Sequence, residues 1–300
     1  MSQRPFKLLR LPTLPLQNVL QFLNPIELFE LSQCSQKTRF NIPLAGTKKF
    51  HCRINVSNGI ININDYVFCV KRQHCKTGSK LRGNRNFMGI IADVAHELEH
   101  EIISFWNNID IGLKNVLFHV TKVFDCTIKS FESLWTIPAA IFNSIIDSII
   151  TRQSEIGKLA IEAHSLTDED AIPYNTKSVL IWHSYWITPT HLSVMKKCTV
   201  ITLKQSTLTD DDMKWFLESW KLGEYPNLEY LSIKSNSLSS NFTAFGLPSL
   251  QNPVDPNVFS KEILGENRTI YRTIDIQRDD GVVAKIHFDG KDGTVELLVW

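Results

Sequence analysis

Residues 11–35 read LPTLPLQNVLQFLNPIELFELSQCS. A Leu-Pro step at Leu11-Pro12 opens the stretch, and Leu16, Val19, Leu20 and Leu23 follow at spacings that set all four on one face of a helix. Asn24-Pro25 then starts a second helix. Asn is a favoured N-cap, Pro is tolerated at the first helical position, and Glu27 can reach back to the N–H of the cap. A second apolar stripe is expected through Leu28, Leu31 and Cys34. Two short amphipathic helices bury too little surface to fold alone. Their apolar faces need a neighbour, from the rest of the chain or from another protein.

Across residues 5–45 the chain resembles the F-box, the three-helix hook that joins a substrate receptor to the Skp-type adaptor of a cullin-RING ubiquitin ligase. The opening Leu-Pro of the family falls on Leu11 and Pro12, its first-helix positions on Leu16, Val19, Leu20 and Leu23, and its Asp-Pro turn on Asn24-Pro25. Its second-helix leucines fall on Leu28 and Leu31, and its Val-Ser step on Cys34-Ser35. Leu14 replaces an acidic residue and Thr38 a tryptophan. The first replacement is common among nematode F-boxes, which often read LLRLP as Leu8 to Pro12 do. The resemblance implies adaptor binding through Leu11, Pro12, Leu16, Val19, Leu20, Leu23, Pro25, Leu28 and Leu31.

Composition narrows the remainder. The chain has 300 residues, 43% of them hydrophobic, and a formal charge of +1. That supports a folded core and supplies no global field toward nucleic acid or anionic membrane. The cysteines at 34, 52, 69, 75, 126 and 198 form no CxxC pair and no cluster. Zinc ribbons and redox pairs are therefore not expected, and free thiols fit a reducing compartment. The N-terminus lacks a secretory apolar core, so a cytoplasmic or nuclear location is expected. The apolar run Leu134–Ile150 is interrupted by Pro138, Asn143, Ser144 and Asp147, and is read as a core helix rather than a membrane span.

Beyond the hook, residues 46–86 are read as short strands and a basic loop. The strands are Phe50–Val56, Ile60–Asn64 and Tyr66–Lys71, with Asn58-Gly59 as a turn. Lys71–Arg85, with six Lys and Arg and no acid, is read as a solvated loop rather than an RNA or phosphate patch, because it has no interleaved aromatics.

Residues 87–245 are expected to form an α/β substrate module. Helices are predicted over Ile90–Trp106, Leu113–Phe124, Ile137–Arg152, a short turn from Thr188-Pro189, and Thr209–Trp220. Strands are predicted at Cys126–Ser130, Lys158–Ala163, Ser178–His183, Cys198–Lys204 and Asn227–Lys234. Strand-plus-helix units recurring from Lys158 suggest a leucine-rich-repeat-like solenoid, with an open α/β sheet as the alternative. Parallel strands are required in both. Residues 246–300 are read as a proline-punctuated linker followed by an antiparallel meander over Thr269–Gln277, Val282–Phe288 and Thr294–Trp300, placed to shield the open end of the solenoid.

From Ser178 onward the chain resembles the F-box-associated module paired with nematode F-boxes. The resemblance is carried by Trp182, Trp186 to Pro189 (WITP), Leu208-Thr209-Asp210, Phe216-Leu217, Trp220 and Asn227-Leu228-Glu229.

Three signals invite other chemistry. His96-Glu97-Leu98-Glu99-His100 matches H-E-x-x-H, in which two histidines on one helix face hold Zn²⁺ and the glutamate activates water. In the predicted helix, Ile91, Val94, Leu98, Ile102 and Phe105 take the apolar face and both histidines project away from it into solvent. A zinc protease is thus a remote alternative. Asp210, Asp211 and Asp212 after Thr209, and Asp168, Glu169 and Asp170 after Thr167, are read as helix starts that complement the dipole. No phosphate loop or nucleophile elbow occurs. Trp182, His183, Tyr185 and Trp186 are the densest aromatic group, and Trp182, Tyr185 and Trp186 are candidate anchors for a target, with core packing as the alternative for each.

The sequence thus reads as a non-catalytic receptor without metal or cofactor, hooked to a ligase adaptor and presenting a target protein. A repeat scaffold that never meets a ligase is the alternative.

Overall fold

The computed structural model describes residues 8–133, 139–162, 175–240, 242–245, 247–248, 257–289 and 291–300. It is a mixed α/β protein dominated by sheet, with two compact units, residues 1–132 and 133–300.

In the first unit the hook forms α1 (Thr13–Gln21), α2 (Pro25–Cys34) and α3 (Gln36–Asn41). It is followed by β1 (Cys52–Asn55), β2 (Ile60–Ile63), β3 (Tyr66–Arg72), β4 (Leu81–Phe87), β5 (Ile90–Ala95), β6 (Glu101–Trp106), α4 (Ile109–Phe124) and β7 (Ile128–Ser133). The strands lie in the order β7-β1-β2-β3-β6-β5-β4, with β1/β7 and β3/β6 parallel and the other pairs antiparallel. Gly59 turns β1 into β2 at φ +64°, and its carbonyl accepts from Val70 N–H at 2.7 Å. The buried stripe of α4 runs through Leu113, Val116, Leu117, Val120 and Phe124, and the helix lies against β3, β6 and α2.

The helix predicted over Ile90–Trp106 is absent. Two strands occupy it, joined by a turn at His96–His100. The segment is rich in β-branched residues on either side of a polar knot, so a period of two competes with the helical spacing, and pairing with β4 and β3 decides the contest. Ile91 and Leu98, expected in an apolar stripe, are 68% and 55% exposed. The second half of the basic loop is likewise strand β4, with Arg85 paired to Glu30 at 2.6 Å and Lys76 to Asp93 at 2.6 Å.

The second unit holds α5 (Ala139–Ile150), β8 (Ile156–Ile161), β9 (Thr176–Ile181), α6 (Pro189–Val194), β10 (Val200–Ser206), α7 (Asp210–Lys221) and β11 (Tyr230–Ser235). Then come the two-residue pair β12 (Thr243–Ala244) and β13 (Leu247–Pro248), the hairpin β14 (Val258–Ile263) and β15 (Glu266–Tyr271), and β16 (Ile274–Gln277), β17 (Val283–Asp289) and β18 (Thr294–Val299). Strand order is β16-β17-β18-β11-β10-β9-β8. As the sequence required, β8 to β11 are mutually parallel. Their registers alternate cleanly. Val179, Ile181, Ile201, Leu203, Leu231 and Ile233 bury on one face, while Leu180, Trp182, Thr202, Lys204 and Ser232 share the other.

The hairpin β14–β15 lies mostly where a linker is expected, and the expected strand Thr269–Gln277 is divided between β15 and β16. The hairpin sets Ile263 and Ile270 against Val200, Tyr230 and Leu298 on the more polar face. Its strands read VFSKEI and ENRTIY, mostly polar and without a clean alternation, which hides them behind the prolines upstream. The last three strands do form an antiparallel meander, and β18 pairs directly with the edge of β11. Thr167, Asp168, Glu169 and Asp170 lie outside the described residues, as do Pro253 and Pro256 of the linker.

Candidate functional sites

The hook is built as the capping rules require. Asn24 Oδ1 accepts from Glu27 N–H at 2.9 Å, and Glu27 Oε2 accepts from Asn24 N–H at 2.9 Å. Ser35 caps α3 by accepting from Thr38 N–H at 3.1 Å. The buried arc of α2 is Pro25, Ile26, Leu28, Phe29 and Ser32, whereas Leu31 is half-buried and Cys34 exposed. The stripe expected through Leu31 and Cys34 is therefore rotated toward Phe29. That ring is the reason: it lies 5.3 Å from Phe68 of β3 and 5.6 Å from Phe87 of β4, in the core of the first unit. His119 of α4 adds an edge contact at 5.8 Å and meets Gln33 of α2 at 3.0 Å. Burial, with Arg39 and Lys122 as further cations, holds His119 neutral, its pKa lowered to about 4.

The nine hook positions divide by burial. Leu16, Leu20, Pro25 and Leu28 are buried in their own chain, Leu11, Leu23 and Leu31 are half-buried, and Pro12 and Val19 are exposed. The outward apolar surface comes mainly from residues off the stripe: Leu14 is 68%, Phe22 89% and Phe40 82% exposed. Phe22 was legible as a large aromatic outside the helical face. Phe40 had no such cue, because the third helix carries no clear stripe.

A second arrangement lies at the carboxyl ends of β9 and β10. Ser184 donates to Lys204 O from both its N–H (3.0 Å) and its hydroxyl (2.8 Å), and Thr207 Oγ1 donates to Tyr185 O at 2.6 Å. These bonds pin the loop after β9 to the end of β10. There β10 bulges: Leu203 pairs with Ile233 and Ser206 with Ser235, so Lys204 and Gln205 together face Lys234, with Gln205 at φ +52°. The ammonium of Lys204 lies 4.1 Å from the centroid of the Trp182 ring. Trp182 and Tyr185 are 40% and 43% exposed, whereas Trp186 is half-buried with its ring 5.2 Å from His191. His183 faces Glu162 at 3.4 Å. The structure thus brings Trp182 and Tyr185 to the surface and adds Lys204, for which the sequence offered no signal because the bulge depends on register.

The acids of α7 serve its start. Thr209 and Asp212 form a capping box, and Asp210 accepts from Ser239 N–H at 2.8 Å. The H-E-x-x-H residues occupy a turn, so the helical spacing that would converge two histidines on a metal does not exist. Instead His96 Nε2 lies 3.3 Å from Glu30 Oε1. No group of three potential ligands occurs among the described residues, and no described helix is long and apolar enough to cross a membrane.

Comparison with known proteins adds identity to this geometry. Over 44 residues the chain is 39% identical to the Skn-1 dependent zygotic transcript 15 protein of Caenorhabditis elegans, a span of 15% of this chain and 13% of that protein. No solved structure matches. Residues 8–42, which contain the hook, match the family described as F-box domain, and residues 169–233, which run through β9, α6, β10 and α7 into β11, match the family described as F-box associated. The chain therefore carries an F-box at residues 8–42 and, at residues 169–233, the F-box-associated segment of the second, nematode type.

Proposed function

We propose that this chain is the substrate-recognition subunit of a Skp-cullin-F-box ubiquitin ligase, itself non-catalytic. The F-box binds a Skp-type adaptor, and the associated segment holds a target protein. Ubiquitin transfer belongs to other subunits, and this chain supplies proximity by raising the effective concentration of target lysines. The observation that carries the reading is the outward apolar surface of the F-box, where Phe22 and Phe40 stand 89% and 82% exposed within a segment that matches the F-box family. Large aromatics left in water are what an interface core uses.

In this reading the target-binding residues are Trp182 and Tyr185, with Trp186 as support. The chain is organised as hook (5–45), strands and basic segment (46–86), leucine-rich-repeat-like module (87–245) and linker with meander (246–300), and it works in the cytoplasm or nucleus.

The test is capture of a purified Skp-type adaptor by the full-length chain. A Phe22→Ala/Phe40→Ala variant is expected to lose at least tenfold in affinity with an unchanged melting temperature. A scaffold that uses the hook only internally is favoured by the burial of Leu16, Leu20 and Leu28. Failure of the unaltered chain to capture adaptor decides for that scaffold.

A further inference from the structure

We infer that the platform of Trp182, Tyr185 and Lys204 recognises an extended peptide segment in which a carboxylate side chain stands beside an apolar or aromatic one. This rests on reading the chain as a target receptor and names the chemistry of what it holds. The platform lies outside the carboxyl ends of parallel strands, where open α/β sheets bind their ligands. It is preorganised, because three hydrogen bonds fix the loop and the bulge at Lys204-Gln205 re-aims the strand end. The two rings offer amphipathic contact area at low entropic cost.

Charge selects the occupant. Lys204 is held over the Trp182 ring and has no acidic partner among the described residues. The acids nearby in the fold are already committed: Glu162 faces His183 at 3.4 Å, Asp292 pairs with Lys234 at 3.1 Å, and Asp210 bonds to Ser239. A lone positioned ammonium matches one carboxylate. A phosphoryl group carries nearly two charges and is held by arginine forks or several cations. Neither the loop at 182–187 nor the strand end at 204–207 contains an arginine.

The probe is an immobilised library of eight-residue peptides presenting Asp or Glu, their amides Asn or Gln, or phosphoserine beside Phe, Trp or Leu. It is read with the full-length chain, and adaptor capture is measured on the same preparation. Acidic peptides are expected to be enriched at least fivefold over their amides and over phosphoserine. Lys204→Glu should invert that preference toward Lys and Arg peptides, and Trp182→Ala should abolish it. If Trp182→Ala fails to fold, the inversion by Lys204→Glu carries the result. Equal binding of acids and amides, absence of peptide binding, or a preference for phosphoserine overturns the assignment. Adaptor capture alongside such an outcome leaves the receptor reading intact. Peptide selectivity without adaptor capture sinks the receptor reading and leaves the platform.

Discussion

At the scale of single residues, burial separates the side chains that hold the F-box together from those available to a partner. Leu28 is fully buried, so Leu28→Ala is expected to destabilise the first unit by about 2–5 kcal/mol, through lost transfer energy plus a cavity. Urea denaturation measures this, and a loss below 1 kcal/mol contradicts the placement of α2. Loss of adaptor binding in such a variant would report unfolding rather than a missing contact, which is why Phe22 and Phe40 are the informative positions. Asn24 tests the cap. Asn24→Ala removes the acceptor for Glu27 N–H and should cost about 1 kcal/mol, while Asn24→Gly should cost only a few tenths. Gly59 is constrained twice, by its left-handed φ and by Val70 O, which would lie 2.5 Å from an added Cβ. Gly59→Ala is therefore expected to lower the melting temperature of the first unit.

At the scale of elements, the contact between α2 and α4 carries a pH dependence. His119 is held neutral, with its pKa moved from the ordinary 6.5 to about 4, first by burial and then by Arg39 and Lys122. Between those values the unfolded chain takes up a proton that the folded chain refuses. Stability is therefore complete above pH 6.5 and falls as pH drops toward 4, by up to about 3 kcal/mol. Denaturation midpoints at pH 7.0 and 4.5 should differ in this direction, and His119→Leu should reduce the difference. An unchanged slope in that variant would assign the acid sensitivity elsewhere. The same scale shows where periodicity misleads. Over α4 and α5 the apolar spacing, and over α7 the spacing together with the Thr209 cap, pointed to helices, and helices formed. Over residues 90–106 the spacing was compatible with a helix, but Ile and Val flank the polar turn on both sides and both neighbouring strands offered open ladders, so β5 and β6 formed instead.

At the scale of the whole molecule, each unit depends on strands that join it from distant parts of the sequence. The clearest case is β18, which lies between β17 and β11 and closes the edge of the parallel strands. Removing residues 294–300 should leave Tyr230–Ser235 as an open ladder and drive self-association, visible by light scattering after size-exclusion chromatography. A monodisperse monomer would show that the edge is protected otherwise. Local chemistry alone determined much of this protein. The Asn24-Pro25-Glu27 cap, the Thr209 capping box, the turn at Asn58-Gly59 and the two amphipathic helices of the hook follow from short-range spacing, because caps, turns and helix faces are satisfied within a few residues. Tertiary structure decided what depends on distant partners. Phe29 rotated the buried arc of α2 because Phe68 and Phe87 await it across the core. The His96–His100 motif became a turn because β5 and β6 pair on either side of it. Lys204 came to rest over Trp182 because strand register, set by residues far along the chain, placed a bulge where the backbone leaves the sheet.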